Sequence, residues 1–257
     1  MSENVIEIAD LGIAFGEGAD RTEVLKRLDL TVRKGEFVAI VGASGVGKST
    51  LLRILMGLAE PSHGTMRIVR DPGFERDMAL VFQDSRMLPW RRILANAAFG
   101  LEKLQLTRAE RKARAAAALG VVGLRDLAGR YPSQLSGGQK QRVALARALA
   151  VKPAILLMDE PFSALDVATR EALQDEIARI HGETGQTILF VTHDIDEAVY
   201  LADRVVALGG RPGELRSSSH VTIERPRRRG DPRLREIAAS IKTAIAAEAA
   251  QREDWVI

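Results

Sequence analysis

The run Glu36-Phe37-Val38-Ala39-Ile40-Val41-Gly42-Ala43-Ser44-Gly45-Val46-Gly47-Lys48-Ser49-Thr50 decides the fold. Its opening six residues are mostly apolar and β-branched, the pattern of a short buried strand. The nine that follow fit G-x-x-x-x-G-K-[ST]. There the glycines let backbone amides curl around phosphate, Lys48 reaches the outer phosphates, and Ser49 offers a hydroxyl to magnesium. From Ser49 to Leu58 the spacing of Leu51, Leu52, Ile54, Leu55 and Leu58 predicts a helix with one buried side, stopped by Gly57-Leu58-Ala59-Glu60-Pro61. Strand, loop and helix in this order place an anion at a helix N-terminus, where unpaired amides and the dipole favour it.

Such a loop identifies the bound group and not the reaction, so a kinase, a GTPase or a helicase would suit it equally. A second segment narrows the choice. In Leu135-Ser136-Gly137-Gly138-Gln139-Lys140-Gln141-Arg142, Ser136 and two glycines precede KQRVALARALA, a good helix former. A second phosphate-seeking helix N-terminus is thereby built from bare amides and one hydroxyl. A plain turn capping an amphipathic helix is the alternative.

Carboxylates come third. Ile155-Leu156-Leu157-Met158-Asp159-Glu160 puts two of them at the end of a buried strand, where parallel sheets collect ligands. Phosphoryl transfer needs positioning and charge stabilisation, so Asp159 is expected to hold magnesium and Glu160 to polarise the attacking water. Gln83 follows the strand Ala79–Phe82, which aims its amide at both metal and water. His193 follows Ile188–Thr192 at another strand end and suits a sensor of the terminal phosphate.

Composition bounds the rest. The chain has 257 residues, 37 basic and 34 acidic, and no cysteine. Disulfides, thiolate zinc sites and cysteine nucleophiles are therefore excluded together. No run approaches the ~18 apolar residues that cross a bilayer, and the acidic start MSENVIEIAD does not read as a signal peptide, so a soluble cytoplasmic protein is expected. Arg225, Arg227, Arg228, Arg229, Arg233 and Arg235 concentrate basic charge near a Pro-rich turn. Without interleaved aromatics they read as a solvated surface or a permease-facing edge sooner than a nucleic-acid patch.

Along the chain, Val5–Ile8 and Leu28–Val32 read as short strands, with a glycine-rich loop from Gly12 to Asp20 between them. From Asp84 to about Lys152 the texture is helical, Thr107 and Glu110 forming a capping box and Gly123 a stop. A strand-helix rhythm then resumes: Ala154–Met158, a helix over 167–180, Thr187–Val191, a helix from Asp194, and Val205–Leu208. Asp231-Pro232 opens a last helix striped by Leu234, Ile237, Ala238, Ile241 and Ile245.

These three motifs in this order resemble the nucleotide-binding subunit of ABC importers, over nearly the whole chain. The resemblance implies an α/β fold, a P-loop NTPase (RecA-like) ABC ATPase core with a helical signature subdomain and a small N-terminal antiparallel β region. It implies one ATP-binding domain over 5–235, its helical subdomain inserted at about 84–152, and a C-terminal helix and tail over 231–257. ATP and Mg2+ are the implied cofactors. Gly42, Ala43, Ser44, Gly45, Val46, Gly47, Lys48, Ser49 and Thr50 would bind phosphate; Ser49, Gln83 and Asp159 the metal. Glu160, His193 and Gln83 would act in catalysis, with Gln83 on the lid that senses the permease. Leu135, Ser136, Gly137, Gly138 and Gln139 form the signature, and Ser163-Ala164-Leu165-Asp166 resembles the loop that crosses the dimer seam. Related proteins stack adenine on an aromatic after the first strand, where this chain has Phe15 in place of the usual tyrosine.

The implied partners are a second copy of the chain, arranged head to tail, two transmembrane permease subunits and a separate substrate-binding protein, with no nucleic acid. The implied location is the cytoplasmic face of the inner membrane. No further domain is expected beyond the final helix, unlike the sugar and molybdate importer subunits. Val81-Phe82-Gln83-Asp84-Ser85-Arg86-Met87-Leu88-Pro89-Trp90 resembles the nitrate, sulfonate and taurine group. Phe82-Gln83-Asp84, the compact Pro61–Phe82 connection, and Ile223-Glu224-Arg225-Pro226-Arg227-Arg228 followed by Arg233-Leu234 resemble aliphatic sulfonate importers most. Leu88 and Trp90 read as lining a docking groove, with Trp90 as core the competing reading.

Overall fold

The computed structural model describes residues 3–253 apart from 72 and 164. Ala164 and the tail after 253 therefore lie outside the described residues. In chain order the elements begin with β1 (Asn4–Phe15), β2 (Thr22–Arg33), β3 (Phe37–Val41), α1 (Lys48–Leu55), β4 (His63–Ile68) and β5 (Arg76–Val81). Helices α2 (Ile93–Ala97), α3 (Arg108–Val121) and α4 (Gly137–Ala150) follow. Next come β6 (Pro153–Asp159), α5 (Val167–Thr184), β7 (Thr187–Thr192) and α6 (Ile195–Leu201). The chain closes with β8 (Arg204–Gly209), β9 (Glu214–His220) and α7 (Pro232–Glu253). They gather into two compact units, one of residues up to 70 with those from 185 on, the other of residues 71–184.

In the first unit β3 is buried along its whole length, flanked by β7 and β8 in parallel register, with β9 antiparallel on β8. Phe37 and Phe190 meet edge to face across β3 and β7 at 5.6 Å between ring centres. An all-apolar strand is what a position covered on both faces requires. A separate antiparallel sheet pairs β1 with both β2 and β4. Here β1 runs to Phe15, so Gly12–Phe15 is strand and not the loop that its glycines suggest. Gly12 sits under the His63 ring, where a Cβ would lie 2.0 Å from Cε1. Cross-strand cover is what keeps this glycine extended.

Helix α1 buries Leu51, Leu52, Ile54 and Leu55 but ends at Leu55, and Leu58 is 64% exposed. Gly57, at φ +67°, turns the chain before Leu58 can complete the predicted stripe. Of the arginine cluster, Arg228, Arg229, Arg233 and Arg235 are exposed as a surface reading expects, whereas Arg227 and, in part, Arg225 depart from it. Arg227 is buried and donates to the carbonyl oxygens of Val199 (2.9 Å), Tyr200 (3.1 Å), Ala202 (2.8 Å) and Ile223 (2.9 Å). Those carbonyls include the last turn of α6, which helix geometry leaves unpaired. Burial pushes the Arg227 guanidinium down to about 10. Arg225 pairs with the Asp203 carboxylate and the Leu201 carbonyl, and Arg229 lies 4.1 Å over the Tyr200 ring. Arg233 is bound to Asp231 at the start of α7, whose Leu234, Ala238 and Ile241 are buried as the stripe predicts.

In the second unit β5 and β6 pair in parallel, and α2, α3 and α4 pack on one another. Thr107 and Glu110 form the expected capping box at α3, and Gly123, at φ +70°, follows its end. Among the described residues no helix is long and apolar enough to cross a membrane.

Candidate functional site

The phosphate-type loop takes its shape from glycine. Gly45 and Gly47 have φ of +80° and +103°, in the region that glycine enters without steric cost. Gly42 runs against β8, where a Cβ would lie 2.5 Å from the Leu208 carbonyl oxygen. Ala43, Ser44 and Gly45 are exposed, whereas Val46, Gly47 and Lys48 are buried. The Lys48 ammonium donates to the carbonyl oxygens of Gly42 (2.8 Å) and Ala43 (3.0 Å), which keeps this cation inside the curve of the loop. Ser49 and Thr50 stand half-buried in the first turn of α1.

The same unit holds Phe15 and His193. Phe15 ends β1 opposite Thr22 and is 49% exposed, so a ring face is open to stacking. His193 is exposed on the turn between β7 and α6. Its flanks are pinned: Thr192 Oγ1 donates to Glu197 Oε2 at 2.8 Å and accepts from the Asp194 amide at 3.0 Å. Asp194 in turn caps α6 by accepting from the amides of Asp196 and Glu197.

Gln83, Asp159 and Glu160 belong to the other unit. Asp159 is the last residue of β6 and Glu160 follows at φ +43°, a left-handed backbone that a non-glycine residue adopts only when its surroundings impose it. The imposing partner is Ser163. Its amide and hydroxyl both donate to the Glu160 carbonyl, at 3.2 and 3.0 Å, while its hydroxyl accepts from Gln83 Nε2 at 3.2 Å. Gln83 and the Glu160 turn are thus joined through one serine, which the sequence assigns only to the seam loop.

The signature segment begins α4 with a reciprocal cap. Ser136 Oγ accepts from the Gln139 amide at 3.3 Å, and Gln139 Oε1 accepts from the Ser136 amide at 3.0 Å. Gly138 is needed for space, since a Cβ would lie 2.1 Å from Thr169 Cγ2, whereas a Cβ on Gly137 meets nothing within 4 Å. Asp166 caps α5 by accepting from the Thr169 amide at 3.0 Å, and that bond holds its carboxyl below the usual range. Gln141, buried in α4, donates to the Phe82 carbonyl at 3.0 Å and ties the signature helix to the segment before Gln83.

Buried Asn96 and half-buried Arg147 then shape the loop beyond Gln83. Asn96 Oδ1 accepts from the Leu88 amide (2.8 Å) and from Arg147 Nη2 (3.0 Å), and Nδ2 donates to the carbonyls of Leu88 (3.1 Å) and Arg91 (2.9 Å). Arg147 also reaches the carbonyls of Arg86 and Asn96, and burial lowers its pKa. This loop leaves Trp90 72% exposed, which removes the reading of Trp90 as core. The sequence signal for Asn96 is a polar residue set in an apolar helical run; Gln141, between Lys140 and Arg142, carries no such signal.

A family model described as "ABC transporter" matches residues 25–163. The chain is 47% identical over 232 residues to the aliphatic sulfonates import ATP-binding protein of Xanthomonas axonopodis pv. citri, covering 89% of this chain and 90% of that one. It is 48% identical over 220 residues to the protein of the same description from Escherichia coli, covering 85% and 83%. Among solved structures, a dimeric post-hydrolysis ATP-binding cassette bound to ADP and Pi superposes with a TM-score of 0.74 at 33% identity, over 85% of this chain and all of that one.

Proposed function

Because the chain belongs to the ABC transporter family, as an ATP-binding subunit of α/β ABC ATPase fold, we propose that it hydrolyses ATP to energise uptake of aliphatic sulfonates. The observation that carries the ATPase reading is the pairing, in one chain, of two anion-receiving helix N-termini, at α1 and α4, with carboxylates at the end of β6. The sulfonate reading rests on the names of the relatives at 43–48% identity and on the resemblance of Phe82-Gln83-Asp84, the Pro61–Phe82 connection and Ile223–Arg228 with Arg233-Leu234 to aliphatic sulfonate importers. An ATP-binding subunit meets its permease and not the cargo, so the residues of this chain report the cargo indirectly.

The loop suits a nucleotide because positive φ at Gly45 and Gly47 curls its backbone and its lysine is already turned inward. Gly42–Thr50 then bind the phosphates, Phe15 stacks the adenine, and Ser136–Gln139 with Asp166 meet the nucleotide held by a second copy of the chain. Ser49, Gln83 and Asp159 suit Mg2+, an ion that takes one or two carboxylates plus phosphate oxygens. Held there, Mg2+ would neutralise charge developing on the phosphates. Glu160 accepts a proton from the attacking water, which Gln83 orients, and His193 donates to the terminal phosphate. The partners are two permease subunits and a substrate-binding protein, and the chain works at the cytoplasmic face of the membrane.

Growth of a strain lacking the gene tests the cargo. A defect on an alkanesulfonate as sole sulfur source, with normal growth on taurine and sulfate and with nitrate as nitrogen source, is the expected result. Normal growth on the alkanesulfonate refutes the sulfonate reading, and a defect confined to taurine or nitrate reassigns the cargo.

A further inference from the structure

The phosphate loop rests on a floor that no motif reveals. Gly213, in the turn between β8 and β9, is buried and joins β2 through its backbone. Its amide donates to the Val24 carbonyl at 2.9 Å, and its carbonyl accepts from the Lys26 amide at 3.0 Å, making a parallel bridge opposite Leu25. A Cβ on Gly213 would lie 2.0 Å from the carbonyl oxygen of Val46, the loop residue before Gly47 and Lys48. Its φ is not in the positive range, so the conformation does not demand glycine here; the closeness of Val46 does. Leu25, fully buried, fills the remaining space, 2.5 Å from a Cβ built on Gly47 and 3.2 Å from one built on Gly213. The bend at Val46–Gly47 is thus seated backbone against backbone on the hairpin tip, with Leu25 wedged beside it.

From this packing we infer that Gly213 is a positioning residue for the nucleotide loop, acting through the Val46 carbonyl on the amides of Gly47 and Lys48. The inference rests on the reading of Gly42–Thr50 as the phosphate site. A methyl at 213 forces the Val46 oxygen back by about 1.4 Å to reach the 3.4 Å at which ordinary contact begins. The peptide that carries this oxygen also carries the Gly47 amide, so the retreat reaches an amide of the phosphate cradle directly. Misplacement of this order costs a preorganised site about tenfold to a hundredfold. The floor therefore links the β8–β9 hairpin to ATP affinity without touching ATP.

The test is the dissociation constant for ATP of Gly213→Ala, read by calorimetry well below its unfolding temperature, with amide resonances of Gly47 and Lys48 as the direct signature. Weakening of about tenfold or more with both resonances displaced is expected. Wild-type affinity, or weakened binding with both resonances in place, overturns the inference. If Gly213→Ala does not fold, Leu25→Val trims the floor without adding an atom, and unchanged affinity in that variant overturns the inference equally. Lys48→Ala separates the two levels: if it binds ATP as well as the wild type, the phosphate-site reading itself falls. If it loses ATP while Gly213→Ala keeps it, only the floor falls.

Discussion

Asn96→Ala should loosen the segment between Gln83 and α2 more than its single side chain suggests. Asn96 is fully buried and serves five partners. Three of these keep another bond after truncation. Leu88 O still accepts from the Arg91 amide, Arg92 O from the backbone amide of residue 96, and Arg147 Nη2 stays 3.6 Å from Met87 Sδ. The Leu88 amide and the Arg91 carbonyl lose the side-chain partner that this structure gives them. Each orphaned group costs about 1–3 kcal/mol, and both are only half-buried, so we expect a loss of roughly 2–4 kcal/mol. Asn96→Asp keeps the acceptor toward Leu88 and Arg147 and should lose less. Urea unfolding at an unchanged m-value measures the loss, and hydrogen exchange of the Leu88 amide locates it. A loss below about 0.5 kcal/mol with Leu88 still protected would refute the assignment of Asn96 as the hub of this loop.

Glu160→Gln should bind ATP, lower its hydrolysis by about a hundredfold or more, and accumulate an ATP-bound dimer on size-exclusion chromatography; a variant that stays monomeric with full turnover removes Glu160 from its role. Arg227→Met should cost about 3 kcal/mol by stripping the carbonyls at the end of α6 of their donor, and a urea midpoint like that of the wild type would show the cap to be dispensable. The Asp166 carboxyl is held below its unfolded pKa by the Thr169 amide, so its contribution to α5 is present above that unfolded value and is lost as pH falls through the folded pKa. A Thr169 amide shift that titrates only below the ordinary aspartate range is expected, and an inflection at or above that range contradicts the cap.

Local chemistry made much of this protein legible in its sequence. The strand before Gly42, the loop to Thr50 and the capping box at Thr107 each depend on residues within a few positions of one another, so a short window contains the whole cause. The same holds for the carboxylates at the end of β6, because a buried strand that stops in Asp-Glu needs no distant partner to be recognised. Strands β4 and β9 escaped that reading. Both lie at sheet edges, and their sequences HGTMRI and ELRSSSH show little alternation because few of their side chains are buried.

Tertiary structure alone decided the contacts of Arg227, Ser163 and Gly213. Arg227 is indistinguishable from Arg228 in sequence, yet it lies where five carbonyls converge from two segments of chain, and only folding brings those carbonyls together. Ser163 becomes the link between Gln83 and Glu160 because β5 and β6 are neighbours, which no spacing along the chain expresses. Gly213 becomes a floor for the phosphate loop because the β8–β9 hairpin folds back onto β2, more than 150 positions away along the chain. The sequence by itself determined the strand, glycine loop and helix on which the proposed phosphate site is built, since that pattern is written in consecutive residues. The fold decided what holds those elements in place, because the holding is done by van der Waals contact and hydrogen bonds between residues far apart in the chain.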